Sequence, residues 1–275
     1  MKYVSSRNKN EIVESHNAII QGLATDGGLF TPESIDIHIN VDELINLSYQ
    51  QIATKVIHAF LDDFTEEEIS SSVNQAYDNK FDTEEIVPLH KIEDAYLMEL
   101  YHGPTSAFKD IALTLLPHLL IQSYNKENRH DTISILTATS GDTGKAALSG
   151  FADVKHTAIT VFYPEVGVSQ VQKKQMQTST GDNVEVIAVK GNFDDCQRMV
   201  KEATQDPQVL ASLHNVTISS ANSINVGRLI PQVVYYYSSY CKLVKDGAIQ
   251  CGDLVNFVVP TGNFGDILAG YLAYR

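Results

Sequence analysis

The sequence predicts an α/β protein, a mostly parallel sheet covered by helices on both faces. Three observations predict it. From about residue 96 onward, short apolar runs rich in β-branched residues alternate with longer stretches of helical period. The joints that lead from these runs into the next helix are dense in Gly, Ser and Thr. At 275 residues with 43% hydrophobic content and no low-complexity tract, the chain is also long enough for more than one compact unit.

Residues 1 to about 93 read as a partly helical N-terminal unit. Gly27-Gly28 marks a turn that leads into an extended segment at Phe30-Thr31-Pro32. Helical patterns follow at residues 41–60 and 66–77, and Glu66-Glu67-Glu68 sits just after Thr65, where first-turn carboxylates complement the helix dipole. Strands are expected at residues 96–100, 132–137, 158–163, 184–189 and 254–259, with helices at 111–124, 145–151, 169–179, 194–204 and 229–244. Ligands of such sheets bind at the carboxyl ends of the strands, so the loops leaving the strands are where chemistry is expected.

The first of these loops is Tyr101-His102-Gly103-Pro104-Thr105-Ser106-Ala107-Phe108-Lys109-Asp110. Gly103-Pro104 punctuates the turn, Thr105 or Ser106 is placed to cap the helix, and Ile111, Leu115, Leu116 and Leu119 repeat at helical spacing. Lys109 then falls in the first turn. A cation at the positive end of a helix dipole has its ammonium form disfavoured. A free amine is what attack on a carbonyl requires, which makes Lys109 the candidate nucleophile and pyridoxal phosphate its usual partner. The decapeptide alone favours an ordinary surface lysine; the other loops have to shift that balance.

The second loop is Thr137-Ala138-Thr139-Ser140-Gly141-Asp142-Thr143-Gly144-Lys145, whose amides and hydroxyls are able to converge on an anion at a helix start. It is not a P-loop, because Gly144-Lys145 is followed by Ala146. A well-capped strand-to-helix turn fits it equally. The third, Pro260-Thr261-Gly262-Asn263-Phe264-Gly265-Asp266, holds no Lys or Arg, so its anion affinity would come from amides and dipole. It lacks G-x-G-x-x-G, which argues against a dinucleotide by that route. Between them lies Ser219-Ser220-Ala221-Asn222-Ser223-Ile224-Asn225-Val226-Gly227-Arg228, where Arg228 is able to clamp a carboxylate or phosphate, or simply to start a helix after a solvated loop.

Composition narrows the partners. A formal net charge of -14 argues against nucleic acid and anionic membranes, so any anionic ligand must be held by local devices. Cys196, Cys241 and Cys251 have no CxxC spacing, which suggests neither a disulfide framework nor a metal site. The first residues lack an apolar signal region and no apolar run reaches membrane-spanning length. A reducing cytoplasm is the expected location.

Taken in order, Gly27-Gly28-Leu29-Phe30, the Lys109 decapeptide, the Asp142 loop, Ser220-Ala221-Asn222-Ser223-Ile224-Asn225 with Arg228, and the Gly262 loop resemble the threonine synthase family in its fungal and bacterial form. That family belongs to the fold-type II pyridoxal 5'-phosphate (PLP) enzymes, which are tryptophan synthase β-like. The resemblance covers most of the chain. It implies that Lys109 carries the cofactor and that Gly262, Asn263, Phe264, Gly265 and Asp266 bind its phosphate. Ser140, Gly141, Asp142 and Thr143 match the substrate loop, where the wider fold-type II group usually has Asn in place of Asp142. Asn222, Ser223, Asn225 and Arg228 lie in a segment similar to the family's substrate region.

The implied reaction converts O-phospho-L-homoserine and water to L-threonine and phosphate, by γ-elimination and β-addition of water, in a monomer or homodimer. The implied division is an N-terminal domain over residues 1–93, a small α/β domain over 94–228, and the start of a large PLP-binding domain over 229–275. Family members continue well past the third loop, so the large domain is expected to be incomplete and cofactor retention weak. A related phospholyase or serine/threonine dehydratase and a non-catalytic partner-binding remnant are the competing readings.

Overall fold

The computed structural model describes residues 1–139 and 141–275. At the N-terminus β1 (Lys2–Ser5), β2 (Ile12–Glu14) and, after α1 (Ser15–Gln21), β3 (Phe30–Pro32) form a small antiparallel sheet in the order β2-β1-β3. Strands of three or four residues carry too little alternation to be read from sequence, and only β3 was expected as extended. A 3-10 turn (Val41–Glu43) precedes α2 (Tyr49–Phe60) and α3 (Glu66–Ala76). The helix expected over 41–60 therefore begins late. Ser48 and Gln51 close a capping box at its true start, as Thr65 and Glu68 do for α3.

The strand expected at 96–100 belongs elsewhere than the parallel sheet. It is β5 (Ala95–Met98), paired antiparallel with β4 (Leu89–Ile92). The two-residue turn Glu93-Asp94, with Glu93 at φ 51, folds the chain straight back on itself. Next come α4 (Asp110–Leu113) and α5 (Leu116–Lys126), which break the single helix expected over 111–124.

The expected alternation then follows: β6 (Thr132–Ala138), α6 (Asp142–Phe151), β7 (Thr157–Pro164), α7 (Gln170–Gln177) and β8 (Val184–Val189). After them lie α8 (Phe193–Gln205), α9 (Pro207–Ser212), β9 (Val216–Ser219), α10 (Val226–Lys245) and α11 (Gly265–Tyr274). β6 to β9 form one parallel sheet in the order β8-β7-β6-β9, with Ile135 opposite Ile159 and Ile133 opposite Thr217. Residues 254–259, expected as a further strand, pair with no strand among the described residues. Leu254 and Val258 there are 93% and 95% exposed, and without a neighbour to complete a ladder an apolar run is not a strand.

The sheet order fixes where a ligand fits. From β6 the chain moves outward to β7 and β8, then returns to the other side of β6 as β9. The loops leaving β6 and β9 consequently run apart, and a crevice opens between them at the carboxyl ends of the strands. α6 is pressed against α4, because a Cβ on Gly150 would stand 2.2 Å from the Leu113 carbonyl oxygen. That contact joins the last turns of the two helices, and at their starts Asp142 meets Lys109, the residue preceding α4. The largest buried cluster runs from Tyr3 to Leu272 and includes Leu116, Ala147, Val161 and Val233, so helices and sheet share one core. Among the described residues no helix is long and apolar enough to cross a membrane.

Candidate active site

Lys109 is held by a loop wound around its neighbour. The Asp110 carboxylate is fully buried and accepts the Thr105 N–H at 2.8 Å, the Thr105 hydroxyl at 2.7 Å and the Ala107 N–H at 3.4 Å. Burial raises this carboxyl above the ordinary range, and the hydrogen bonds oppose the rise. Ser106 takes a left-handed backbone at φ 56, which is strained for a residue with a Cβ and is retained because the Asp110 bonds over-determine the loop.

Two expectations are corrected here. Thr105 serves Asp110 instead of capping a helix, and Lys109 is the residue before a helix of four residues. So short a helix has little dipole to act on the amine. What Nζ meets is a carboxylate: it donates to both Asp142 oxygens, at 3.0 and 2.9 Å. Nζ also lies 4.6 Å from the centre of the Phe108 ring.

Lys109 and Asp142 face a cleft of about 570 Å³ at the crevice between β6 and β9. Gly141 and Thr143 join them from the β6 loop, Asn222, Ser223 and Arg228 from the β9 loop, and Gly262, Asn263, Gly265 and Asp266 from the third loop. Motifs spread over more than 150 residues of sequence thus meet at one place. Two of the expected residues stand apart. Phe264 is 73% exposed and outside the cleft wall. Asn225 is buried and committed to structure: its side chain accepts the Gly227 N–H at 2.8 Å to cap α10 and donates to the Ile19 carbonyl at 2.9 Å. Ser140 lies outside the described residues.

How the helices begin tells what the cleft attracts. Ser48, Thr65, Ser169, Asn192 and Asn225 close the first turns of α2, α3, α7, α8 and α10 with a side chain. α11 has no such cap among the described residues, and in α6 the residue before the helix is Gly141, so that Thr139 Oγ1 takes the first-turn N–H of Gly144 instead, at 3.0 Å; both helices, ten residues each, begin at the cleft. The other first-turn N–H groups have no intrahelical partner, so they present donors and positive dipole ends to whatever lies there. Arg228 is only 3% exposed, donates from Nη1 to the Ala221 carbonyl at 2.7 Å, and has no partner for Nε among the described residues. Burial pulls its guanidinium down to about 10, against the opposing charge of Asp142. Arg228 is part of the cleft wall, so its positive charge is set beside whatever the cleft holds.

Several wall residues went unnoticed in the sequence. Gln232 lies one turn beyond Arg228, and that spacing on one helix face was the available signal. Phe193 and Gln197, one turn apart on α8, carried no motif. Thr139 Oγ1 accepts the N–H groups of Gly141 at 3.1 Å and Gly144 at 3.0 Å, shaping the loop from within. A cofactor with an aldehyde and a phosphate needs a primary amine and an anion cradle in one enclosure. Lys109, the uncapped start of α11, the start of α6 and the Arg228 guanidinium in the cleft wall fit such a group.

Comparison with known proteins agrees with this chemistry. Residues 2–77 match the family model "Threonine synthase N terminus", and residues 82–275 match "Pyridoxal-phosphate dependent enzyme". Threonine synthase of Pseudomonas aeruginosa is 38% identical over 278 residues, an alignment spanning 99% of this chain and 57% of that protein. The crystal structure of PLP-bound threonine synthase from Brucella melitensis superposes with a TM-score of 0.89 at 36% identity, covering 100% of this chain and 57% of that one. Yeast threonine synthase gives 0.87 at 34% identity, covering 99% and 55%. The chain spans a little over half the length of these relatives.

Proposed function

We propose, on the premise that the chain belongs to the family of pyridoxal-phosphate dependent enzymes, that it holds pyridoxal 5'-phosphate at Lys109 and acts as a threonine synthase. The reaction is O-phospho-L-homoserine and water to L-threonine and phosphate. One observation carries the reading: a lysine amine, two helix starts, that of α11 uncapped, and a buried arginine share one cleft.

The bound cofactor supplies an electrophilic carbonyl and an electron sink. The chain's own residues do the rest. Lys109 Nζ takes the proton from the substrate Cα and, once that proton has been passed on, one from Cβ as phosphate departs from Cγ; the two protons go back to Cγ and to Cα, while water adds its hydroxyl at Cβ and its remaining proton goes to the released phosphate. Asp142 receives the ammonium whenever Nζ carries the extra proton, which keeps the amine within reach of the substrate. The first-turn amides of α11, with Gly262 and Asn263, hold the cofactor phosphate. Arg228, Asn222 and Ser223 take an anionic group of the substrate, and the start of α6 at Gly141, Asp142 and Thr143 closes the substrate side. The same reading makes this a cytoplasmic enzyme of small molecules, with Cys196, Cys241 and Cys251 as free thiols.

Lys109→Ala tests it. Phosphate release from O-phospho-L-homoserine is expected to fall by about a thousandfold or more. Unchanged release would overturn the assignment. Threonine among the products supports this activity, while 2-oxobutanoate in its place would indicate elimination without rehydration.

A further inference from the structure

Asp266 poses a problem for an anion site, because a carboxylate beside a phosphate is repelled by it. The structure gives that carboxylate another occupation. Its Oδ1 accepts hydrogen bonds from the hydroxyls of both Tyr235 and Tyr236, the second at 2.8 Å, and Tyr236 Oη also lies 3.1 Å from the Asp266 carbonyl oxygen. Both tyrosines are buried on α10. Consecutive residues on a helix diverge by about 100°, so a single carboxylate reached by both sits astride the ridge between them.

The Tyr236 ring is confined as well. A Cβ on Gly270, one turn further along α11, would stand 2.8 Å from its Cζ. Burial first, then the Asp266 charge and hydrogen bond, push both phenols far above the usual tyrosine range, so they remain donors. Gln232 packs beside this pair: its Oε1 lies 3.4 Å from Tyr235 Oη, whose one proton is given to Asp266, and its Nε2 donates to the Arg228 carbonyl at 2.8 Å.

We infer that Asp266 is a positioning residue, latched by Tyr235 and Tyr236 so that the first-turn amides of α11, and not the carboxylate, meet the anion in the cleft. The inference rests on the cofactor reading above. It assigns to α10 the task of setting how α11 presents those amides.

The test compares two probes in titrations of the whole chain, pyridoxal 5'-phosphate and pyridoxal, which has the aldehyde but no phosphate. Binding is followed by the visible absorbance of the lysine adduct. Asp266→Ala is expected to weaken the phosphorylated probe about tenfold and Tyr236→Phe about threefold, with pyridoxal unchanged for both. Asp266→Asn keeps an oxygen acceptor and is expected to stay within about threefold of wild type or to tighten. Equal weakening of both probes, an Asp266→Asn loss as large as that of Asp266→Ala, or unchanged affinity in Tyr236→Phe would overturn the latch. Tyr236→Phe removes a single oxygen and serves where Asp266→Ala does not fold. A wild-type chain that forms an adduct but does not prefer the phosphorylated probe defeats the latch alone. A wild-type chain with no adduct from either probe defeats the cofactor reading and the latch with it.

Discussion

The starts of α6 and α11 are built from the same dipeptide, Gly141-Asp142 in one and Gly265-Asp266 in the other. Both helices are ten residues long, neither is capped by the side chain of the residue that precedes it, and both open on the cleft. A first-turn acid is favoured by the dipole in each case, so local sequence accounts for the presence of both aspartates. It does not account for what they do. Asp142 is half-exposed and takes the Lys109 amine, while Asp266 takes two buried phenols. The task of each carboxylate follows from the group that the neighbouring element presents to it.

The largest expected effect breaks the α6 side of this comparison. Gly150→Val would drive a branched side chain into the Leu113 carbonyl, a backbone atom with little room to yield. Destabilisation of about 3 kcal/mol or more is expected, read from the denaturation midpoint. A midpoint equal to wild type would show that α6 is not held against α4 in this way.

Next, Asp142→Asn is expected to lower turnover about a hundredfold, since it removes the charge that holds a proton-carrying amine. Stability should change by no more than about 1 kcal/mol, because a half-exposed ion pair contributes little. Asp266→Asn should leave turnover within about threefold. Equal losses in the two variants would erase the distinction between the aspartates.

The smallest effect sharpens the α11 side. Tyr235→Phe removes a buried hydrogen bond to a carboxylate, expected to lower stability by about 2 kcal/mol at neutral pH. The pH dependence follows from the raised folded-state value of Tyr235, caused by burial and by Asp266. An acid whose folded pKa lies above its unfolded one stabilises the fold below the unfolded value, about 10 for tyrosine, and loses that contribution as pH rises past it. Each such tyrosine adds a decline of about 1.4 kcal/mol per pH unit above pH ~10. Chemical denaturation of Tyr235→Phe across that range should show a shallower decline than wild type.

The chain's local sequence determined β6, β7 and β8, the Thr65–Glu68 capping box, the loops that lead from strand to helix, and the motifs that carry Lys109, Asp142 and Arg228. These depend on propensity and period within roughly a dozen residues, which any window of the sequence displays. Only the tertiary structure decided the rest. Residues 96–98 joined a hairpin, residues 254–259 found no pairing partner among the described residues, and Asn225 turned inward to cap α10 although its motif neighbours Asn222 and Ser223 line the cleft. The two aspartates show the physical reason. Lys109 meets Asp142 across 33 residues and Tyr235 meets Asp266 across 31, and a hydrogen bond over such a distance exists only once packing has brought its donor and acceptor together.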